Sequence, residues 1–226
     1  HPRPAQIPSR PLLPGPAYLR QLGAGLYSLL PLGFRVNRRV EQVIREEIDR
    51  IGGQEMEMPV VHPGDVWRRS GRYDSVGPEL ARSKDRGERD MVIAMTHEEV
   101  VASLLADIVR SYRQLPVIVY HFQTKFRDEP RSRGGLIRVR EFVMKDSYSW
   151  DRDEAGLDRS YWLHHEAYTR IFERLGLKAI PVSSVVGMMG GSLAHEFMVL
   201  NPAGEDVLVL CETCDYAANR QVAVVP

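Results

Sequence analysis

Cysteine is nearly missing: two residues in a chain of 226, Cys211 and Cys214, cannot build the disulfide framework of a small secreted fold. A charge excess is missing as well, 30 Lys and Arg standing against 30 Asp and Glu. That balance excludes a general nucleic-acid coat and a polybasic membrane-surface protein, and it confines any nucleic-acid contact to a local patch. No apolar run approaches the roughly 18 residues that cross a bilayer, so no membrane partner is expected and the cytoplasm is the expected compartment. Two phosphate-binding signatures are absent: no Gly-x-x-x-x-Gly-Lys-Ser/Thr occurs, and no Gly-x-Gly-x-x-Gly opens a helix. Acids are absent before Glu41, which raises a transit peptide, but six prolines among the first sixteen residues oppose the amphipathic helix such a peptide needs. A processed start fits better, and residues 1–17 are expected to form an extended, weakly ordered lead-in.

What is present is enough apolar material, 43% of the residues, for a sizeable core. Val36, Val40, Val43, Ile44, Ile48 and Ile51 follow a helical stripe that Gly52-Gly53 ends. Met56, Met58 and Val60 then alternate with polar residues and Pro59, the pattern of a Pro-bearing edge strand, and a long helix feeding such a strand suits a dimer interface. Residues 68–90 are dense in charge and glycine and read as a mobile surface loop. A second helix is expected from about His97 to Arg113, a strand over Val117–Phe122, and a third helix over Asp153–Leu175 closed by Gly176. Further strands are expected over 178–186 and 206–211, the latter as a buried apolar run. Irregularly interspersed helices and short strand-turn-strand joints predict an α+β fold with an antiparallel sheet.

The densest charge runs from Lys125 to Lys145, with Pro130 and Gly134-Gly135 marking a loop between two strands. Alternation places Arg127 and Glu129 together before the loop, and Arg138, Arg140, Phe142 and Met144 on one face after it. Two Arg and two apolar residues on a sheet face suit a polyphosphate ligand, since Arg forks bind phosphate oxygens bidentately. Cross-strand ion pairs on a solvated face are the competing reading. Arg131 and Arg133 sit at the hairpin tip. Thr96-His97-Glu98-Glu99 matches a capping box, with Thr96 capping and Glu99 reaching back, which leaves Glu98 available at a helix start. Gly187-Met-Met-Gly-Gly-Ser192 reads as a turn. His164-His165-Glu166 lies in a helix, where adjacent residues cannot face one ligand, so solvated side chains are expected. His195-Glu196 carries little by itself, and Cys211-Glu-Thr-Cys214 has knuckle spacing without a second ligand pair, so no metal site is expected.

Taken together, several segments resemble the bacterial-type prolyl-tRNA synthetases, a class II family, from about Leu19 to Val222. Gly25-Leu-Tyr-Ser-Leu-Leu-Pro-Leu-Gly33 with the following helix and Met58-Pro59 looks like motif 1. Phe126-Arg-Asp-Glu129 and Arg138-Val-Arg-Glu-Phe-Val-Met-Lys-Asp-Ser-Tyr-Ser149 look like motif 2. Gly190-Gly-Ser-Leu-Ala-His-Glu-Phe-Met198 and Cys214-Asp-Tyr-Ala-Ala-Asn219 are similar to stretches particular to the bacterial prolyl enzymes. The resemblance implies an antiparallel sheet flanked by helices and a two-step reaction: proline and ATP give prolyl-adenylate, then the prolyl group passes to tRNA(Pro). It implies Arg127 at the α-phosphate and the substrate carboxylate as the catalytic contact, Glu129 at the adenine end and Arg138 at the terminal phosphate, with Arg140 and Ser192 as further ATP contacts. Thr96, Glu98, Phe142, Met144 and His195 would hold proline, Arg131 and Arg133 would meet the tRNA acceptor end, Mg2+ would accompany ATP, and Pro59 would lie in a homodimer interface. On the same resemblance residues 18–226 form an incomplete class II core: motif 3, the editing insertion and the anticodon-binding domain have no counterpart in it. A synthetase-like binding protein that keeps the dimer face and the proline pocket is the alternative.

Overall fold

The computed structural model describes residues 17–187, 190–202 and 204–224. The proline-rich lead-in, apart from Ala17, falls outside them, as do Met188 and Met189. Strands β1 (Leu19–Gly23) and β2 (Leu26–Leu29) make a hairpin, and helix α1 (Pro31–Arg50) follows. Pro31 opens α1 where its missing N–H costs nothing. Then come β3 (Gly53–Glu55), β4 (Val61–Pro63), α2 (Gly64–Arg69), α3 (Arg72–Ser75), β5 (Arg82–Lys84), β6 (Asp90–Ile93) and α4 (Glu98–Ile108). The long strands β7 (Val117–Phe126) and β8 (Glu141–Trp150) precede α5 (Glu154–Arg174), and β9 (Ala179–Ser183), β10 (His195–Val199), β11 (Leu208–Leu210) and β12 (Ala217–Asn219) complete the order. The described residues fall into two compact units, 17–161 and 162–224, with the boundary inside α5.

In the first unit β3, β7 and β8 form one sheet, β3 parallel and β8 antiparallel to β7. One face carries Tyr120 and meets α1: a Cβ on Gly53 would lie 2.6 Å from Ile48 Cγ2 and 3.1 Å from the Tyr120 ring, so only glycine permits that approach. Tyr120 donates its hydroxyl hydrogen to Asp49 at 2.5 Å, and Arg45 forks Glu55 at 2.7 and 2.9 Å while lying over Phe122. The other face carries Val119 and packs with Met58 and with Val101 and Leu105 of α4. A second, antiparallel sheet of β4, β6 and β5 encloses Trp67, Val76, Leu80, Val92 and Met95. The second unit is a four-stranded sheet in the order β10, β9, β12, β11, antiparallel except at β12 with β9. Its β10 and α5 side chains meet as an aromatic row in which Phe172 stacks on Phe197. The expected α+β class with mainly antiparallel sheets is observed.

Four expectations about elements are corrected. Residues 56–60 form no strand, although Met56 N–H bonds the Tyr120 carbonyl and the Val60 carbonyl accepts from Ala94 N–H, both at 2.8 Å. The Met58 and Pro59 carbonyls are taken by side chains instead, Met58 O by Gln123 Nε2 at 2.8 Å and Pro59 O by two histidines, and a proline cannot donate to a ladder. Residues 68–90 are no mobile loop but hold α3, β5 and parts of α2 and β6, because their charges are spent internally. Arg82 donates to the carbonyls of Tyr73, Val76, Gly77 and Leu80, and Arg68 binds Asp65 and Asp90. Helix α4 ends at Ile108, and Tyr112–Gln114 form a separate 3-10 turn capped by Ser111. Strand β11 is half-buried to exposed, not a buried run.

Candidate active site

Strand alternation builds the site. In β7 and β8 directly opposed residues share a face, and the register pairs His121 with Asp146, Gln123 with Met144, and Lys125 with Phe142. The wall proposed from sequence, Phe142 and Met144, therefore stands on the same face as His121, Lys125 and Asp146. Arg127 continues past the strand end, its backbone N–H bonded to the Arg140 carbonyl at 2.8 Å. Its guanidinium lies 5.4 Å over the Phe142 ring and donates from Nε to the Met95 carbonyl at 3.3 Å. Met95 precedes Thr96, so the cation, the apolar wall and the start of the Thr96–Glu98 segment meet at one place.

Thr96 and Glu98 are brought together, the threonine hydroxyl donating to Glu98 Oε2. The capping box is not formed. His97 is the N-cap, without a side-chain cap bond, and Glu99 turns away to pair with Arg72 at 2.9 Å and to accept from Ser70. Burial pushes the Glu98 carboxyl above its ordinary range, with the Thr96 bond opposing.

Beyond Arg127 the chain makes a loop around a small bridge between Arg133 and Arg138, with Gly134 and Gly135 at φ 70° and 64° in its turn. Arg138 and Arg140 precede β8 rather than lying in it, because the pairing with β7 begins only at Glu141. Arg138 forks the Glu129 carboxylate at 3.1 and 3.4 Å, and Arg140 donates to the Glu129 carbonyl at 3.1 Å and stands 3.5 Å from Asp128. Glu129 and Arg138 are thus partners of each other in this structure. Arg131 and Arg133 are exposed on the loop. Gly25, at φ 73°, packs beneath it: its carbonyl accepts from Arg140 N, and a Cβ there would meet Arg140 N and the Ser132 Cβ at 2.9 Å.

The remaining candidates lie in the second unit. Ser192 is exposed in a bend before β10. His195 begins β10 opposite Ser183, and its ring centroid lies 5.3 Å from that of His165. Burial, and then His165, lower its pKa. His165 is accordingly no solvated residue but part of the aromatic row, 5.2 Å from Phe197. Cys211 and Cys214 are both free and exposed.

Sequence reasoning missed a buried polar row under the wall. Lys125 is fully buried, with Nζ 2.8 Å from Asp146 Oδ2, 2.7 Å from His97 Nδ1 and 3.2 Å from His121 Nε2. Asp146 Oδ2 also accepts from Tyr148 at 2.8 Å and faces His121 at 3.2 Å. His97 and His62 both reach the Pro59 carbonyl, at 3.0 and 2.9 Å, and Trp67 donates to His62 Nδ1 at 3.1 Å. Burial, reinforced by the Lys125 charge, lowers His97 to about 3, and burial lowers His62 to about 4, so both rings are neutral at pH 7. Burial pushes Asp146 up, but the donors on Oδ2 outweigh it and hold the carboxyl below its ordinary value. His97, His121 and Asp146 offer ligand atoms within 4.8 Å of one another, as a metal centre would. The Lys125 amine stands among them in the place of a cation.

Comparison with known proteins agrees with this architecture. Residues 81–224 match the family model of the tRNA synthetase class II core domain (G, H, P, S and T). A proline-tRNA ligase of Salinispora tropica is 57% identical over 212 residues, covering 94% of this chain and 36% of the relative. One of Pelotomaculum thermopropionicum is 50% identical across 100% of this chain and 40% of its own length. The chain therefore spans about two fifths of the length of these relatives. Among solved structures, the Giardia lamblia prolyl-tRNA synthetase in complex with prolyl-adenylate superposes with a TM-score of 0.75 at 22% identity, over 82% of this chain and 38% of that one. With the core model matching residues 81–224 and relatives 50% and more identical across nearly the whole chain, the chain belongs to the class II tRNA synthetase core-domain family.

Proposed function

We propose that this chain is the amino-acid-activating part of a proline-tRNA ligase, binding L-proline and ATP and joining them as prolyl-adenylate. The observation that carries this reading is the meeting of the Arg127 guanidinium, the Phe142 ring and the Thr96–Glu98 segment at one end of the β7–β8 face. The relatives named proline-tRNA ligase at 50% identity and above support it. A proline carboxylate oxygen attacks the α-phosphorus of ATP, the bond to the β-phosphate oxygen breaks, and pyrophosphate leaves with the electron pair. Such a step needs alignment and neutralised charge rather than proton transfer. Arg127 supplies both by touching the α-phosphate and the carboxylate. Glu98, with Thr96, receives the charged imino group of proline, and Phe142 with Met144 covers its ring.

Glu129 takes the adenine end and Arg138 the terminal phosphate, and Arg140 assists. Their mutual ion pair is partly exposed and of the kind worth about 1 kcal/mol or less, so nucleotide can replace it. Ser192 and His195 stay assigned to ATP and proline by the family resemblance alone. Arg131 and Arg133 meet the acceptor end of tRNA(Pro). Mg2+ comes with the triphosphate as part of the substrate: Glu129 is engaged by Arg138 and Asp128 faces Arg140, which does not make a resident magnesium site. Homodimerisation through α1 and the exposed Pro59 completes the reading.

The test is proline-dependent exchange of pyrophosphate into ATP, with alanine and cysteine as competitors. Exchange that requires proline and falls about 100-fold or more in Arg127→Ala is expected, the range for removing a preorganised charge donor. Binding of a nonhydrolysable prolyl-adenylate analogue without exchange would restrict the chain to substrate binding. Failure of both would favour a synthetase-like interaction protein.

A further inference from the structure

The buried row described above has no part in the adenylation chemistry, yet it ends at the residue between the two proline contacts. We propose that Lys125 is a positioning residue for Thr96 and Glu98: its buried amine, held by Asp146, fixes the His97 ring and thereby the segment that receives the imino group. This inference rests on the proposed proline site.

The Pro59 carbonyl can only accept, so His97 Nε2, 3.0 Å away, carries the hydrogen. His97 Nδ1 then offers a lone pair, and only a donor can stand against it. Lys125 Nζ does so at 2.7 Å, and a second of its hydrogens goes to Asp146 Oδ2 at 2.8 Å. His121 Nε2 and the Tyr148 hydroxyl converge on that same oxygen, while Asp146 Oδ1 and His121 Nδ1 have no partner. The carboxylate is therefore oriented by donors crowded on one side, which aims the amine at His97.

A stability role accounts poorly for this arrangement. A buried ion pair is commonly matched or bettered by apolar residues of similar volume, and two unpartnered polar atoms add cost. What the row does supply is a fixed orientation: His97 cannot rotate without abandoning both the Pro59 carbonyl and the amine. Thr96 and Glu98 are bonded to each other and sit on either side of His97 in the chain, so they move with it. The same sheet face carries Phe142 opposite Lys125, which ties the wall of the pocket to the same anchor.

The test separates proline from ATP. Lys125→Met and the double variant Lys125→Met with Asp146→Asn, which removes the unpaired charge, would be titrated calorimetrically with L-proline and with Mg-ATP separately. Proline affinity is expected to fall about 10-fold to 100-fold, the range for groups that orient a binding residue, with ATP affinity within about twofold of wild type. Equal losses for both ligands, or unchanged proline affinity in a folded variant, would overturn the inference. Nitrogen-15 NMR of the unsubstituted chain decides independently of any variant: the His97 ring should be the neutral Nε2–H tautomer, and an Nδ1–H ring would overturn the inference outright. A wild-type chain that binds no proline, yet shows the expected tautomer and a His97 Nδ1 resonance that shifts in the double variant, would sink the proposed function while leaving Lys125 as the anchor of residues 96–98.

Discussion

Two buried imidazoles set the acid limit of the chain. His62 and His97 are held neutral down to about pH 4 and 3 by burial, whereas in an unfolded chain each takes a proton near 6.5. Below pH 6.5 the unfolded state therefore binds more protons than the folded one, and stability falls with pH. The contribution is whole above 6.5, declines through the window from 6.5 to 4 for both rings, and from 4 to 3 for His97 alone. Each ring costs up to about 1.4 kcal/mol per pH unit within its window. Urea midpoints at pH 7.5 and 5 should show the loss, and His62→Gln should reduce the slope by close to one proton. An unchanged slope in that variant would contradict the neutral, buried assignment. Strand alternation made the shared face of Phe142 and Met144 legible, but Arg127, Glu129, Arg138 and Arg140 lie beyond the ends of β7 and β8, where the loop rather than the alternation places them. Lys125 was not legible, since nothing local marks a lysine as internal; what could have marked it is period two, which puts it in step with His121 and opposite Phe142.

Among the elements, the segment between α2 and β6 shows how charge can organise a chain instead of solvating it. The Arg82 guanidinium bonds four carbonyls at the end of α3 and in the turn after it, and lies 5.3 Å from the Tyr73 ring. Arg82→Met should leave those carbonyls to water and cost about 2 to 3 kcal/mol, the value of charge-assisted bonds. Hydrogen exchange is the measurement: protection of residues 73–82 should be lost while β7 and β8 stay protected, and uniform loss would mean that the segment is no local unit. The long periodic elements, α1, β7, β8 and α5, were readable because their stripes span many residues. The short ones were not. Residues 56–60 alternate as a strand should, but side-chain donors from Gln123, His97 and the nearby His62 take the Met58 and Pro59 carbonyls that a neighbouring strand would have used. Residues 68–90 look like a loop by composition, and their order depends on bonds such as Arg72 to Glu99 that no local window contains.

For the molecule as a whole, the apolar stripe of α1 is buried only at its C-terminal end. Ile48 is wholly covered, whereas Leu32 and Val36, one turn apart on the same side, are exposed, as is Phe34. In the proposed homodimer a partner covers this end together with Pro59. Sedimentation velocity should then give a dimer that Leu32→Glu with Val36→Glu converts to a monomer of unchanged helix content. A wild-type chain that remains a monomer up to its solubility limit would remove the dimer from the reading. Class and family were visible in the sequence because motif-like segments occur in order along it; the joining of those segments was not, since it rests on buried contacts such as Gly25 beneath the Arg140 backbone.

One of those contacts gives the polar row an optical outlet. Trp67 is fully buried and donates its indole hydrogen to the neutral His62 ring, which also binds the carbonyl that holds His97. An indole in a dry pocket emits at short wavelength, and an imidazole that gains a proton becomes a quencher that can no longer accept its hydrogen bond. The protein thus contains a native fluorophore four hydrogen bonds from the Lys125 amine, so the state of a side chain that no solvent touches is written into the colour and brightness of its own emission.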